Sequence, residues 1–326
     1  MLSKACSLAL VLLLISLPLY PQAQQCKSTV TGKHEIFSLT SPTFHNTRNI
    51  RVWLPPGYED PANSGKKYPV LYLLDGSSAF DACEAFMHIE LNADETLTTL
   101  ISSGRIPPLI AVAIDNASDI LGHANDGANS DGGKARTREY LPYPDSLLAP
   151  DIQEVLGAQL PDFFQHDIFP AIATRYRVLG GAQNSALWGD SYSGASALYI
   201  AIHRPDLFGR MIIESPSLQA GNGQLLRDSA FLSVLPHRIA LGIGTAEISD
   251  AELPNSAVID AAWVREMHIL ADNLKAAAFL PPQIQLTVAE GAHHNTGDFG
   301  KRLAAGLLFI YANEAAAPPK RDSPRK

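Results

Sequence analysis

Five runs of apolar residues, each bounded by turn-forming residues, constrain the fold of this 326-residue chain more than any other feature. They span 68–74, 109–114, 210–214, 239–243 and 284–289. A strand with one wet face alternates apolar and polar side chains. A continuous apolar strand is covered on both faces and belongs in a largely parallel sheet. Residues 49–54 do alternate, and they stop at Pro55-Pro56-Gly57 in the manner of a half-buried strand. Helical patterns fall near 81–103, 158–176, 194–204, 260–278 and 300–314. Strands alternating with helices predict a three-layer α/β/α sandwich around a mostly parallel central sheet. Two segments break the pattern. Residues 115–150 are rich in Gly, Asn, Asp and Pro and are too long for an ordinary connector. Residues 315–326 read as a disordered tail of alanines, prolines and basic residues.

The first 23 residues read as a signal peptide, with Lys4 before an apolar stretch from Leu8 to Leu19 and a cleavage site near Pro21-Gln22-Ala23. The apolar stretch is short and interrupted by Pro18, which disfavours a spanning helix. Lipidation at Cys26 is disfavoured because no small residue stands just before it. The expectation is export to the periplasm or outside the cell, with no membrane span. Cleavage leaves an N-terminal extension (24–44) and one domain (45–314), about 300 residues and enough for a substantial core. The mature chain has 24 basic and 33 acidic residues, a formal charge of −9, which argues against nucleic acid as a partner. Cys26 and Cys83 remain; they either pair, as an oxidising compartment permits, or stay as small buried residues. Neither sits in a C-x-x-C motif, so a thiol metal or redox site is not expected.

The segment Ala186-Leu187-Trp188-Gly189-Asp190-Ser191-Tyr192-Ser193-Gly194 reads as a short strand turning sharply at a serine into a helix. The α/β-hydrolase fold presents its nucleophile on such a turn, usually as G-x-S-x-G. Here Ser193 occupies the second small position and Gly194 follows. A serine hydroxyl is a poor nucleophile until a base takes its proton, and an imidazole base needs an acid to fix its tautomer. In this fold the chain order is serine, acid, histidine. The run at 239–243 leads into Gly244-Thr245-Ala246-Glu247, and the last run leads into Gly291-Ala292-His293-His294-Asn295. His293 stands as an alternative base, and Asp250 or Glu252 as an alternative acid; a Ser-His dyad is a further possibility. A metal site on His293, His294 and Asp298 is not expected, because adjacent histidines seldom converge on one ion. No metal and no organic cofactor is required. The Gly189-Asp190-Ser191 start of a GDSL lipase block fails, since that family places its serine near the N-terminus and ends in D-x-x-H.

These motifs carry a family resemblance. Leu73-Leu74-Asp75-Gly76, Pro205-Asp206-Leu207-Phe208-Gly209, Glu214-Ser215-Pro216-Ser217, Gly244-Thr245-Ala246-Glu247, and His294-Asn295 with Phe299 and Arg302 fall in the order found in the esterase D family of putative esterases. The stretch from Arg136 to Pro142 is similar to the family's R-x-x-x-Y-x-P segment. The resemblance covers 45–314. It implies an α/β-hydrolase fold with Ser191 as nucleophile, His294 as general base and Glu247 as orienting acid. The oxyanion donors it implies are the backbone N–H groups of Tyr192, the residue after the nucleophile, and Ser77. Asp75, Arg138 and Tyr140 are candidates for the substrate pocket, which the 115–150 and 219–234 segments would shape. Arg136, Arg138 and Glu139 form either an ion-pair knot or a substrate clamp. The function expected is a secreted serine esterase that hydrolyses a carboxylic ester through an acyl-serine. An acyltransferase using the same site and a non-catalytic exported ligand-binding protein remain as alternatives. The partner expected is a small-molecule or carbohydrate-linked ester: a siderophore, feruloyl, acetyl-polysaccharide or simple acyl ester. Oligomeric state stays open.

Overall fold

The computed structural model describes residues 26–312, apart from 121–130, 147–148, 153, 232–233, 249–253 and 278–282. The expected signal peptide, the 315–326 tail and the alternative acids Asp250 and Glu252 therefore lie outside the described residues. Eight strands form one sheet: β1 (Lys33–Ser41), β2 (Asn46–Leu54), β3 (Val70–Leu73), β4 (Ile110–Ile114), β5 (Ser185–Asp190), β6 (Arg210–Glu214), β7 (Arg238–Gly244) and β8 (Gln283–Ala289). Their order is β1-β2-β4-β3-β5-β6-β7-β8. The β1–β2 and β2–β4 pairs are antiparallel, and every pair from β4 to β8 is parallel. The helices are α1 (Ala93–Ser102), α2 (Ala117–Ile120), α3 (Asp131–Tyr140), α4 (Leu160–Asp162), α5 (Phe169–Arg175), α6 (Ser191–His203), α7 (Gln224–Asp228), α8 (Ser256–Ala277) and α9 (Thr296–Ile310). A π-helical stretch, Phe163–Ile168, joins α4 to α5.

The doubly apolar strands explain the layers. Side chains alternate across a strand, so Val70 and Tyr72 enter one core while Leu71 and Leu73 enter the other. The first core packs Leu187, Met211 and Leu241 against Phe163 and Phe164 of the π-helical stretch, Leu198 of α6, and Met267 and Leu270 of α8. The second packs Trp188 and Ile212 against Leu97 and Leu100 of α1 and Leu303 and Leu307 of α9. The fold is the three-layer α/β-hydrolase sandwich. Among the described residues no helix is long and apolar enough to cross a membrane.

Three elements differ from the sequence reading. β1 lies in the segment set apart as an extension, yet it pairs with β2 from Lys33↔Leu54 to Ser41↔Asn46. The helix expected from residue 81 begins only at Ala93, because Met87, His88 and Asn92 have φ of 53°, 57° and 55°, which a right-handed helix cannot continue through. Within the 115–150 segment, α3 is a regular helix of ten residues. It is polar and holds two glycines, so tertiary contacts rather than amphipathicity fix it. Cys26 and Cys83, left open by the sequence, are joined in a disulfide with their Cα atoms 5.6 Å apart.

Candidate active site

Strand β5 ends at Asp190 and α6 begins at Ser191, which holds a left-handed φ of 52°. That strained turn lifts the serine off the end of the sheet. Gly189 is obligatory there, since a Cβ would stand 2.5 Å from the Ser193 carbonyl oxygen. Ser193, where glycine is usual, is fully buried and seated as a cap. Its hydroxyl accepts the Asp190 N–H at 3.0 Å and donates to the Asp190 carbonyl at 2.8 Å. The Ser217 N–H holds the Ser191 carbonyl at 3.0 Å, tying the segment after β6 to the turn.

Glu247 follows β7 and is buried, and His294 follows β8. Glu247 Oε2 lies 2.6 Å from His294 Nδ1, while Oε1 accepts the Ser215 hydroxyl at 2.7 Å and the Gly244 N–H at 2.5 Å. Burial pushes this carboxyl up, but the bonds from His294, Ser215 and Gly244 outweigh it and hold it below the usual glutamate value. With a carboxylate as acceptor, Nδ1 donates and Nε2 is the ring nitrogen that can accept a proton. The Phe299 ring meets the imidazole edge-on at 5.2 Å and Trp263 stands at 6.0 Å. His293 is exposed, and its backbone N–H donates to Asp298 Oδ2 at 2.8 Å. The two histidines thus have different partners, His293 being tied through its backbone to Asp298, while the His294 ring is brought to Glu247.

Behind Glu247 lies a layer that sequence reasoning missed. Arg302 Nε donates to buried Glu214 Oε2 at 2.7 Å, and its Nη2 reaches the Ser215 hydroxyl at 3.3 Å. Burial, only partly offset by Arg302, pushes the Glu214 carboxyl up to about 7. The signal available was Gly242-Ile243-Gly244, since glycine inside a strand marks a close approach. A Cβ at Gly244 would stand 2.8 Å from Glu247 Oε1.

Ser77 sits in the 3-10 turn Gly76–Ser78 after β3, against the end of β4, where a Cβ on Gly76 would come within 2.6 Å of the Ile114 backbone. Among the described residues no backbone acceptor takes the Ser77 or Tyr192 N–H. Both residues line, with Ser191 and His294, a cavity of about 340 Å³. Phe86, Met87, Ile89, Leu91 and Phe299 give it an apolar wall; Asp75, Asn116, Asp119 and Arg136 give it a polar one.

The pocket candidates divide. Asp75 lines the cavity, but both its oxygens are held by Arg136 at 2.7 Å, and Asn116 Nδ2 adds a bond at 2.6 Å. Tyr140 does not line the cavity; it is buried, and its hydroxyl accepts the Asp75 N–H at 3.2 Å. Arg138 is excluded too, because it is exposed and paired with Glu154. Helical spacing is the reason: Arg136 and Tyr140 share a face of α3 and Arg138 points away from it. There is no knot among the three charged residues, since Glu139 instead holds Arg48 at 2.7 and 2.8 Å. Of the three residues weighed as knot or clamp only Arg136 lines the cavity, and Asp119 lines it without having been singled out by the sequence.

A family model described as "Putative esterase" matches residues 41–309. The uncharacterized protein YbbA of Bacillus subtilis (strain 168) is 22% identical over 266 residues, covering 81% of this chain and 92% of its own. The crystal structure of BES protein from Bacillus cereus is similar with a TM-score of 0.63 at 21% identity, covering 89% of this chain and 99% of that one. The siderophore hydrolase EstB from Aspergillus nidulans is similar with a TM-score of 0.61 at 19% identity, covering 86% and 96%. At these identities the structural likeness is one of fold.

Proposed function

We propose, from the premise that the chain belongs to the putative esterase family and is a carboxylic ester hydrolase, that it is an exported serine esterase working through an acyl-enzyme. Ser191 is its nucleophile, His294 its general base and Glu247 the acid that orients the imidazole. The observation that carries this reading is the 2.6 Å bond between Glu247 Oε2 and His294 Nδ1, at a cavity whose lining includes both His294 and the strained Ser191.

In the proposed cycle His294 Nε2 takes the Ser191 proton as Oγ attacks the ester carbonyl carbon. The carbonyl oxygen becomes an oxyanion that the Ser77 and Tyr192 N–H groups stabilise; losing one such donor costs about 3 kcal/mol of barrier. Collapse breaks the bond to the alcohol, which leaves with the proton from His294 and leaves Ser191 acylated. Water then gives its proton to Nε2, attacks the acyl carbon, and collapse returns the proton to Ser191 as the carboxylic acid departs. Glu247 stays ionised throughout and offsets the imidazolium charge. Export is supported by the leader-like segment 1–23 and by the Cys26–Cys83 disulfide, a bond that persists in oxidising compartments.

Ser191→Ala is expected to abolish hydrolysis of a short-chain p-nitrophenyl ester, and labelling by a fluorophosphonate, while the protein melts at an unchanged temperature. Full turnover by that variant overturns the assignment.

A further inference from the structure

The two walls of the cavity differ in chemistry, and among the described residues the polar wall lacks an unspent cation. On the apolar side Phe86, Met87 and Ile89 are exposed by 38%, 66% and 38%, so they form a rim that an acyl or aryl group covers on entry. On the polar side Arg136 is the one lysine or arginine among the described lining residues. Its guanidinium is committed to Asp75 through two bonds of 2.7 Å, which leaves that pair without net charge. The internal segments 121–130, 147–148, 153, 232–233, 249–253 and 278–282 contain no lysine or arginine, so none of them brings another.

Among the described residues Asp119, on that wall, has no cationic partner. Its Oδ1 accepts the Ser77 hydroxyl at 2.9 Å and its Oδ2 the Asn116 N–H at 2.9 Å, both neutral donors. Burial, with Asp115 and Asp75 adding to it, pushes this carboxyl up to about 7, so it is ionised in mildly alkaline solution. Each carboxylate oxygen can accept a further hydrogen bond. A cationic or hydroxyl-bearing group therefore finds an acceptor here. An anionic group would lose its hydration beside a like charge, against an apolar wall, with no counter-ion to replace the water.

We propose, resting on the esterase reading above, that this cavity selects its ester by charge. It takes uncharged or cationic esters and rejects those with an anionic group close to the scissile bond. Asp119 is the residue that determines this specificity. Multiply anionic esters, including chelates built from ionised phenols, fall outside the substrate class.

Three butyrate esters test it: phenyl, 4-carboxyphenyl and 4-(trimethylammonio)phenyl butyrate, with phenol release followed chromatographically in mildly alkaline buffer. Dividing each kcat/KM by the ester's rate with hydroxide removes the difference between leaving groups. The wild type is expected to turn over the anionic ester at least about tenfold less efficiently than the neutral one. Asp119→Asn should narrow the ratio of cationic to anionic ester, whatever it does to turnover itself. In the wild type alone, added salt should narrow the same ratio through screening, a measurement that stands even where the variant does not fold. Equal efficiency toward the anionic and neutral esters in the wild type overturns the proposal, and so does an unmoved ratio in a folded Asp119→Asn protein. Failure of the wild type on all three esters overturns the esterase reading itself.

Discussion

Gly242 on β7 faces the Glu214 carboxylate on β6 so closely that a Cβ there would stand 2.0 Å from Oε2. A bare Cα is thus the first member of a chain of contacts ending at the imidazole. Glu214 receives Arg302, Arg302 reaches Ser215, Ser215 donates to Glu247, and Glu247 holds His294. Gly242→Ala has to displace the carboxylate or part the strands. Overpacking of this kind costs about 1–3 kcal/mol. A lowered melting temperature is expected, with kcat falling more than KM rises, because the disturbance reaches the acid and not the cavity wall. A variant that melts and turns over like the wild type shows that the Glu214 layer tolerates displacement.

Glu247 pairs with His294 and not with His293, so the proposed mechanism assigns the two neighbouring histidines different effects on turnover. His293 is exposed and engaged through its backbone, so His293→Ala should keep kcat within about threefold, the small effect usual for a surface change. His294→Ala should remove activity. Glu247→Gln keeps the shape of the acid but loses its charge, and a neutral partner can select the wrong imidazole tautomer. A fall in kcat of about 10³–10⁴ with little change in KM is expected. Near-normal turnover by Glu247→Gln would mean the site runs as a Ser-His dyad.

Glu214 also makes a statement about stability against pH. Its carboxyl is pushed up to about 7 in the folded chain, above the ordinary glutamate value of 4.5. Between those values the folded state holds a proton that the unfolded state has released, so stability contributed by this group falls as pH rises. Glutamine cannot titrate. Melting temperatures of the wild type and Glu214→Gln, taken at the two ends of that window, should show the wild type losing more on going to the higher pH. An equal or smaller loss in the wild type would mean that Arg302 keeps Glu214 ionised across the whole window.

The features that announced themselves in the sequence were those whose cause is local. Leu71 and Tyr72 must both be buried, so β3 reads as a parallel strand without reference to anything distant. The turn at Ser191 is fixed by Gly189 and Ser193, two positions before and two after it, and it too is legible. What could not be read was set by contacts far apart in the chain. Helix α3 is polar, and it is placed by Arg136 on Asp75 and Glu139 on Arg48, pairs separated by 61 and 91 positions. The order serine, acid, histidine led to Glu247 and His294, but nothing along the chain linked Glu214 to Gly242. The sequence offers Arg138 as a pocket candidate because nothing local marks the segment as helix, and on α3 it faces away from Arg136.

The disulfide bears on the cavity as well as on the fold. Cys83 lies just before the rim residues Phe86, Met87 and Ile89, and its partner Cys26 begins a segment bonded to the same region. Thr31 gives Asp94 its backbone N–H at 2.5 Å and its hydroxyl at 2.9 Å, and the Ala82 N–H donates to the Thr29 hydroxyl at 2.9 Å. The bridge closes a loop of 57 positions, long enough to restrict the unfolded chain by about 2–4 kcal/mol. Replacing both cysteines by serine should lower the melting temperature and make it insensitive to reductant, whereas the wild type should lose stability when reduced. The rim carries left-handed backbone at Met87 and His88, which only the surrounding contacts maintain. Loosening it should therefore raise KM for an apolar ester while kcat, set by residues on the sheet ends, changes less. A double variant with unaltered KM but lowered melting temperature would confine the bridge to a structural role, and one unaltered in both would show that the threonine contacts alone hold the rim in place.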